Sequence, residues 1–476
     1  MRRMGSWTGA ARGAGWLAAA GAGLVLGACS CNTKIVTEAE KAHLAGDFAR
    51  AAEKIDTVKS CTKSDTIYLH YQRGKILQDA GRFAESQAEF DEALRRLGNT
   101  QYLSVVSVSG AGDNIDAILT DDTRRDYFGT HYDRVMLRVA MAINELMDPA
   151  GNTEDALALS RQQLDLQNPR VRDQLLAAGE QVEDVSLASR RDRNERITAG
   201  GLFERPDVSS VIRGYEGYTY TGHATDVVPY GFYVGSLVSR AEGSELAPEW
   251  NSRLRAVSNS RLASEASSPI GNKVYVLFEN GMAPYRTERR FGLDDLSVKV
   301  PDMRVRAGGR ASGMTVQGGG RTAIAEKLTD VDSIVMADFS DRITEIWGRP
   351  FLSAAIRVGI AVAVNVAVED DEDEWWDDAV KLGTLIGVAI WQAQTRADLR
   401  SWRTLPGEQF AAELPMPEDG VVRFNLIGPT GQPVLWREIT VPTDRPIIVF
   451  ARSTDAGNLS VYWNELRGRA TPRGAR

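Results

Sequence analysis

The sequence predicts an α+β protein in which paired helices come first and a mixed, β-rich part follows. Apolar residues with helical spacing recur through the first half of the chain. Runs of β-branched and aromatic residues, bounded by Gly and Pro, lie in 273–279 and in 421–450. Small residues four positions apart in 352–393 favour a helical hairpin between these β segments. Helices followed by strands, rather than alternating with them, indicate the α+β class.

The first 28 residues have the pattern of a secretory signal peptide. Arg2, Arg3 and Arg12 form a basic start, and no acidic residue occurs before Glu38. Residues 13–28 are all Gly, Ala, Leu, Val or Trp. This apolar stretch is short for a transmembrane helix but suits the apolar region of a signal peptide. We therefore expect residues 1–28 to be removed.

The end of this stretch, Leu26-Gly27-Ala28-Cys29, resembles the lipobox of bacterial lipoproteins. The resemblance implies cleavage before Cys29 and attachment of a lipid to its thiol, which would anchor the chain in a membrane. In such lipoproteins an Asp after the cysteine favours the inner membrane. Ser30 therefore implies the outer membrane, with the protein facing the periplasm. The alternative is an ordinary signal peptide followed by a chance cysteine.

The net charge narrows the range of binding partners, and the cysteine content allows one disulfide. The full chain carries a net charge of −8, and loss of the three leading arginines makes it more negative. So acidic a chain is a poor candidate for binding nucleic acid. Two thiols, Cys31 and Cys61, would remain beside the lipidated cysteine in an oxidising compartment. They either form a disulfide or stay unpaired, since sequence alone does not fix connectivity.

Residues 33–97 have the periodicity of helical hairpins. Gly74 is a small residue that would let two helices approach closely, Gly81 would end the first helix, and Phe90 would fill the space between them. Gly46 and Gly81 are 35 residues apart. This segment resembles a tetratricopeptide repeat, whose period is about 34 residues.

Fainter copies of the pattern extend the predicted repeat domain to residues 29–260. One copy covers 132–166, and a degenerate one covers 230–257. Residues 169–228 show no clear period, and we expect an irregular crossing with some helix there. Stacked helix pairs of this kind form a concave surface suited to extended protein partners.

A mixed β/α segment is predicted for residues 261–350. Lys273–Glu279 is strand-like, and Asn280-Gly281 is a hairpin-turn signal that would lead to a partner strand ending at Phe291. Glu279 could instead be a ligand at a loop, but the turn is preferred because Asn and Gly tolerate positive φ. Residues 307–320 contain six glycines and are predicted to be a loop.

An apolar hairpin is predicted for residues 351–405. Its arms, 352–368 and 379–393, carry small residues four positions apart, which favours two packed helices in a protein core or an oligomer interface. Alternating valines in the first arm fit a membrane β-hairpin instead. Between the arms, Trp375 and Trp376 lie in an acidic loop. They would either be exposed for partner binding or fold back on the hairpin.

The last segment, 406–476, is predicted to be β-structure with a tail. Just before it, Arg400-Ser401-Trp402 could be a recognition loop, but we favour packing of Trp402 and Leu405 into the core. No motif for a catalytic site, a metal site or a cofactor occurs, and the four histidines are scattered. We therefore predict no catalytic residues, no metal, no cofactor and no enzymatic activity.

Three stretches in this order resemble a group of uncharacterised bacterial lipoproteins with tetratricopeptide-like repeats. They are Glu279-Asn280-Gly281-Met282-Ala283-Pro284, then Asp330–Val335, then Asp398-Leu399-Arg400-Ser401-Trp402-Arg403-Thr404-Leu405-Pro406. The resemblance implies a fold but no established activity. We expect a lipid-anchored scaffold that binds other envelope proteins. The alternatives are an assembly or transport component whose hairpin joins a membrane pore or an oligomer, and an envelope hydrolase assembled from distant segments.

Overall fold

The computed structural model describes residues 30–58, 66–106, 127, 129–167, 227–265, 270–291, 298–306, 308–341, 346 and 397–468. Several sequence predictions fall outside these ranges: the lipid attachment at Cys29, the thiol of Cys61, the tryptophans Trp375 and Trp376, and the hairpin 352–393. Cys31 lies near the start of the first helix, at a place where the structure describes only the backbone.

Eight helices in the first part of the described chain follow one another as four pairs. They are α1 (Ser30–Leu44) and α2 (Phe48–Asp56), α3 (Thr66–Asp79) and α4 (Phe83–Val106), α5 (His131–Met147) and α6 (Thr153–Leu166), and α7 (Pro229–Glu242) and α8 (Ala247–Val257). The helical array that the hydrophobic periodicity predicted is therefore present.

Local sequence signals explain where these helices begin and end. Gly46 and Gly81 have φ of 75° and 78°, a conformation that glycine adopts without strain, and each one separates the two helices of a pair. The Asp47 side chain accepts a hydrogen bond from the backbone N–H of Arg50 and so caps α2. Thr130 and Asp133 form a reciprocal capping box at the start of α5.

Close packing within the second pair depends on Gly74. A Cβ atom at this position would lie 2.3 Å from Cε1 of Phe90, so no larger residue fits without movement. The hydroxyl of Ser86 donates to the carbonyl of Gly74 over 2.7 Å. The predicted contact between α3 and α4 at Gly74 is thus present.

Eleven strands are described, all after residue 270, in three sheets. They are β1 (Lys273–Asn280), β2 (Tyr285–Phe291), β3 (Val298–Arg304), β4 (Gly313–Gly318), β5 (Arg321–Ile324), β6 (Glu326–Asp330), β7 (Glu408–Pro415), β8 (Val421–Ile427), β9 (Pro433–Thr440), β10 (Ile447–Ser453) and β11 (Ser460–Glu465). The five-stranded central sheet has the order β11-β10-β1-β7-β6, and an outer sheet has the order β5-β4-β8-β9. The strands β2 and β3 form a separate ribbon.

The helices, the central sheet and the outer sheet form three layers. Alternate residues of β1 point to opposite sides, as the period of a strand requires. Tyr275 and Leu277 belong to the hydrophobic core shared with the helices. Val276 and Phe278 belong to a second core, shared with residues of the outer sheet such as Phe424. The central sheet is therefore buried on both faces, which explains its near-continuous apolar strands.

The first helices make several contacts with the central sheet or its connections, and the second helix α4 adds ring contacts of Phe83 with Phe450 of β10 and Tyr462 of β11. From α5, the carbonyl of Leu146 accepts from Asn464 of β11 over 2.9 Å. From α7, Arg240 forms an ion pair with Glu413 of β7 at 3.3 Å. The carbonyl of Leu44, at the end of α1, accepts from a side chain of the loop after β10. The chain's own sheet thus packs against the side of the helical layer from which these contacts come.

Two predictions about the β-structure were wrong. The strand β1 does not form a hairpin with β2, because it is a central strand that pairs in parallel with β10 and antiparallel with β7. Residues 307–320 are not entirely loop, since Gly313–Gly318 forms β4 between β5 and β8. Glycine lowers strand propensity, but pairing on both sides overrides that preference here.

Two further helical segments border the strands. A short helical turn, α9 (Leu262–Glu265), precedes β1, and β6 continues directly into α10 (Val331–Asp341). Both large sheets combine strands from 261–350 with strands from 406–476, so these two segments build one body. Within the described ranges, no helix is both long enough and apolar enough to cross a bilayer.

Candidate functional site

The first and third of the stretches that carry the family resemblance meet at the carboxyl end of β1. The backbone N–H of Gly407 donates to the carbonyl of Asn280 over 3.0 Å. The backbone N–H of Ala283 donates to the carbonyl of Leu405 over 2.8 Å. Gly281 has φ of 66°, in agreement with the turn predicted from Asn280-Gly281. This junction lies against α3, where charged side chains are buried.

Two cationic and two acidic side chains form a buried group that we call the charge cluster. They are Lys75 and Arg452, and Asp79 and Glu279. The Nζ atom of Lys75 lies 2.6 Å from Oδ1 of Asp79 and 2.5 Å from Oε2 of Glu279. The Nε atom of Arg452 lies 2.8 Å from Oδ2 of Asp79. All four side chains are at most 3% exposed. The cluster therefore joins α3 to the neighbouring strands β1 and β10.

The ammonium group of Lys75 uses all of its donors inside the protein. Besides the two carboxylates, it donates to Oε1 of Gln78 over 2.8 Å. A lysine has three N–H donors and no acceptor, so none is left for a ligand. The group also lies 5.2 Å from the ring centroid of Phe450, which forms one wall of the cluster.

The guanidinium group of Arg452 fixes the turn that follows β1. Its Nη1 atom donates to the backbone carbonyls of Glu279, Gly281 and Ser453, over 3.2, 2.7 and 2.7 Å. Its Nη2 atom lies 3.2 Å from the sulfur of Met282. A planar group with several fixed donors can hold a turn in this way, whereas a lysine could not.

His43 at the end of α1 completes the surroundings of Asp79. Its Nε2 atom lies 2.7 Å from Oδ2 of Asp79, and both side chains are fully buried. Its Nδ1 atom has no hydrogen-bond partner. Burial lowers the pKa of His43, and the cations Arg452 and Lys75 lower it further, against the raising effect of Asp79. The imidazole is therefore neutral near pH 7 and donates its Nε2–H to the carboxylate.

The charges in the cluster balance. Burial by itself would raise the pKa of Asp79, but Lys75, Arg452 and the hydrogen bond from His43 together hold it below its usual value. Two cations then face two carboxylates, and His43 adds no charge. Because every ion has a partner of opposite sign at hydrogen-bond distance, the desolvation cost of burying the group is largely offset.

A second ion pair lies on the other side of the junction. The Nη1 atom of Arg310 donates to Oδ2 of Asp332 over 2.8 Å, and Nη2 donates to the carbonyl of Met282 over 3.0 Å. Cβ atoms added at Gly281 and Gly407 would lie 2.1 and 2.2 Å from the guanidinium, so both glycines make room for it. Burial raises the pKa of Asp332 to about 7, although Arg310 opposes this rise.

The Arg400-Ser401-Trp402 stretch is a packing element. Trp402 is 2% exposed and stacks on Tyr71 of α3, with ring centroids 4.5 Å apart and planes inclined by 16°. The carbonyl of Ser401 accepts from Nε2 of Gln72 over 2.9 Å. Leu405 is also buried. The prediction that Trp402 and Leu405 pack into the core is confirmed.

This geometry favours a structural role for the charge cluster over a chemical one. A general acid, a base or a nucleophile must reach its substrate, and these side chains are closed off from solvent. No group of three or more His, Cys, Asp or Glu side chains suited to a metal ion occurs among the described residues. The arrangement instead holds the helix pairs against the central sheet in one orientation.

Sequence reasoning singled out Glu279 but missed its partners. The turn at Asn280-Gly281 was foreseen, whereas the engagement of the Glu279 carboxylate by Lys75 was not. The sequence did contain a signal, because Glu279 and Arg452 are charged residues that each follow a run of apolar strand residues. The structure then pairs the two residues in the register of β1 and β10. The sites predicted at Cys29, Cys61, Trp375 and Trp376 lie outside the described residues.

Comparison of the chain with family models, with curated proteins and with solved structures gives no match. The resemblance to a lipoprotein group with tetratricopeptide-like repeats therefore stays an expectation from the sequence. The function of the protein must accordingly be inferred from its charge cluster and from the exposed surfaces of the described residues.

Proposed function

We propose that this protein is a lipid-anchored envelope protein that acts as a non-enzymatic scaffold for other envelope proteins, through tetratricopeptide-like helix pairs. The anchor would be the lipid on Cys29, in the outer membrane and on its periplasmic side. The helix order, the positive-φ glycines between paired helices and the Gly74–Phe90 contact support the likeness to the repeat.

The observation that carries the proposal is that the two helices of each pair have different surroundings. The first helices supply most of the hydrogen bonds and ion pairs to the chain's own sheet that are described above, so we assign the scaffold surface to the exposed side of the second helices, α2, α4, α6 and α8. Alanines such as Ala88 of α4 and Ala158 of α6 are exposed there. The exposed residues of these helices would present a surface to a partner without rearranging the core.

The charge on this side indicates the kind of partner. Burial raises the pKa of Asp91, and the negative charge of Asp155 raises it further. Glu145 belongs to the first helix α5, but its pKa is also raised, first by burial and then by Asp155 and Asp91 among other carboxylates. Carboxylates that repel one another favour a cationic neighbour, so the partner surface is proposed to be basic.

Site-specific crosslinking in cells tests the scaffold proposal. A photoreactive amino acid placed at Ala88 or at Ala158 removes no hydrogen bond or ion pair of the native side chain, because both residues are alanines. We expect the same partner protein to be captured at both positions. The control is Thr440, an exposed residue of β9 in the outer sheet. Equal capture at all three positions would contradict a partner surface on the second helices.

The anchor has its own test. The change Cys29→Ala removes the thiol that would carry the lipid, and each buried CH₂ of an acyl chain contributes about 0.8 kcal/mol to membrane binding. We expect the variant to leave the membrane fraction or to stay unprocessed. A second change, Ser30→Asp, is expected to shift the protein toward the inner membrane. Retention of Cys29→Ala in the outer membrane after a salt wash argues against lipid anchoring.

A further inference from the structure

The side of the outer sheet that faces away from the central sheet carries exposed hydrophobic side chains next to polar ones. We call it the outer sheet face. Ile324, Val434 and Trp436 are 62%, 49% and 57% exposed, and only two other large hydrophobic residues in the described part of the chain are comparably exposed. Isolated exposed apolar residues are ordinary, but these three lie on one face of one sheet together with hydrogen-bonding groups.

Strand register places two of these residues at the ends of one row of paired residues, which runs across the four strands of the outer sheet. Ile324 of β5 pairs with Thr315 of β4, Thr315 pairs with Asn425 of β8, and Asn425 pairs with Trp436 of β9. Three strand spacings of about 4.8 Å make the row about 14 Å long. An aliphatic group and an indole thus flank a hydroxyl and an amide, which lie 3.4 Å apart.

The next row supplies charges that cancel each other. Arg423 of β8 pairs in register with Glu438 of β9, and its Nη2 atom lies 2.9 Å from the carboxylate. The guanidinium carbon of Arg423 also lies 5.0 Å from the ring centroid of Trp436. This contact holds the indole in place on one side, while the ring remains more than half exposed. The face therefore combines aromatic surface and hydrogen-bonding groups with no net charge.

We propose that the outer sheet face binds a neutral, β-linked polysaccharide chain. A sugar ring has an apolar C–H face, which stacks on an indole, and a rim of hydroxyls, which bond to amides, hydroxyls and ion pairs. The row of about 14 Å accommodates roughly three sugar rings. The open face suits an extended ribbon of sugars better than a coiled chain. This inference goes beyond the proposed scaffold role and does not depend on it.

Charge excludes the main competitors. Nucleic acid and anionic lipid are held chiefly by unpaired Lys and Arg, whereas the arginine on this face is paired with Glu438. A face without net charge favours a neutral ligand instead. A protein partner would bury the same indole, and the experiment separates it from a glycan by using purified polymers alone.

The test is cosedimentation of the detergent-solubilised full-length protein with insoluble chitin and with insoluble cellulose. We expect the protein to pellet with at least one polymer, and we expect Trp436→Ala to weaken that binding at least tenfold. The matched control is Trp463→Ala, which removes a tryptophan of β11 that is 40% exposed on a different sheet. It should bind as the unchanged protein does, and added dextran sulfate should not compete.

A second variant guards against a folding artefact. Ile324→Ser alters the far end of the same row, and we expect an intermediate loss of binding with an unchanged thermal midpoint. The proposal is overturned if the unchanged protein pellets with neither polymer, if Trp436→Ala and Trp463→Ala bind equally, or if dextran sulfate displaces the polymer.

Discussion

His43 shows how a single buried side chain can make stability depend on pH. Its imidazole is neutral because burial lowers its pKa, and because Arg452 and Lys75 add to that effect. A proton added to Nδ1 would meet no acceptor, since that atom has no hydrogen-bond partner. The unfolded chain has no such restriction and binds the proton at the ordinary pKa of about 6.5.

Stability should therefore fall as the solution becomes more acidic. Well above pH 6.5 the histidine is neutral in both states and contributes nothing to the pH dependence of stability. Below it, the unfolded state binds the proton first, so the free energy of unfolding falls by at most about 1.4 kcal/mol per pH unit until the folded pKa is reached. We predict that His43→Gln, which keeps a donor for Asp79 but does not titrate, flattens this fall. Urea denaturation gives the free energy of unfolding at pH 7.0 and at pH 5.5. An equal fall between these two pH values in His43→Gln and in the unchanged protein would contradict the prediction.

Sequence patterns predicted individual residues well only where the reason was local. Gly74 was assigned to a helix–helix contact from its place in a helical period, and Gly281 to a turn from its pairing with Asn280. Lys75 and Asp79 gave no comparable signal. Their roles depend on partners that are distant in the chain, and a lysine or aspartate on a helix is more often solvated.

At the scale of elements, the packing of α3 on α4 allows a direct test. In Gly74→Leu even the Cβ atom would lie within 2.3 Å of the Phe90 ring, so the helices must separate. Overpacking of this kind costs about 1–3 kcal/mol. We expect a lower thermal midpoint and faster proteolysis between the two helices.

The control is Gly308→Leu, where no atom lies within 4 Å of an added Cβ. This variant should melt as the unchanged protein does. If both leucine variants had the same thermal midpoint, the close contact at Gly74 would not contribute to the stability of the protein.

The helices and strands themselves were largely predictable, and their neighbours were not. The helix pairs from α1 to α8 follow from periodicity alone, because one face of each helix must be apolar. The partner of β1 was mistaken, since a turn signal such as Asn280-Gly281 describes only the bend and not what the strand pairs with. The strand β4 was missed because its glycines indicate a loop until β5 and β8 are placed on either side.

At the scale of the whole molecule, the charge cluster determines how the helical layer sits on the sheet. Asp79→Asn would leave two buried cations opposite one carboxylate. Removing one partner of a buried ion pair costs about 3–5 kcal/mol. We predict a loss of that order in the free energy of unfolding, measured by urea denaturation.

The double variant Lys75→Met, Asp79→Asn restores the balance, with Glu279 and Arg452 as the remaining charges. We therefore expect it to be more stable than the sum of the two single changes implies, with a coupling energy of about 0.5–3 kcal/mol. Additive losses would mean that the four charges act independently. In that case orientation of the layers would rest on apolar packing alone.

Arg452 lies 373 residues after the aspartate that it holds. A ribosome delivers the chain from its beginning, so the second helix pair emerges long before β10 exists. Until then Asp79 lacks one of its two cationic partners, and β1 lacks a neighbour on one side. Contacts between such distant segments form slowly, and exposed strand edges invite aggregation in the interval. A premature stop before residue 447 should therefore leave a chain that never matures, rather than a shorter working protein.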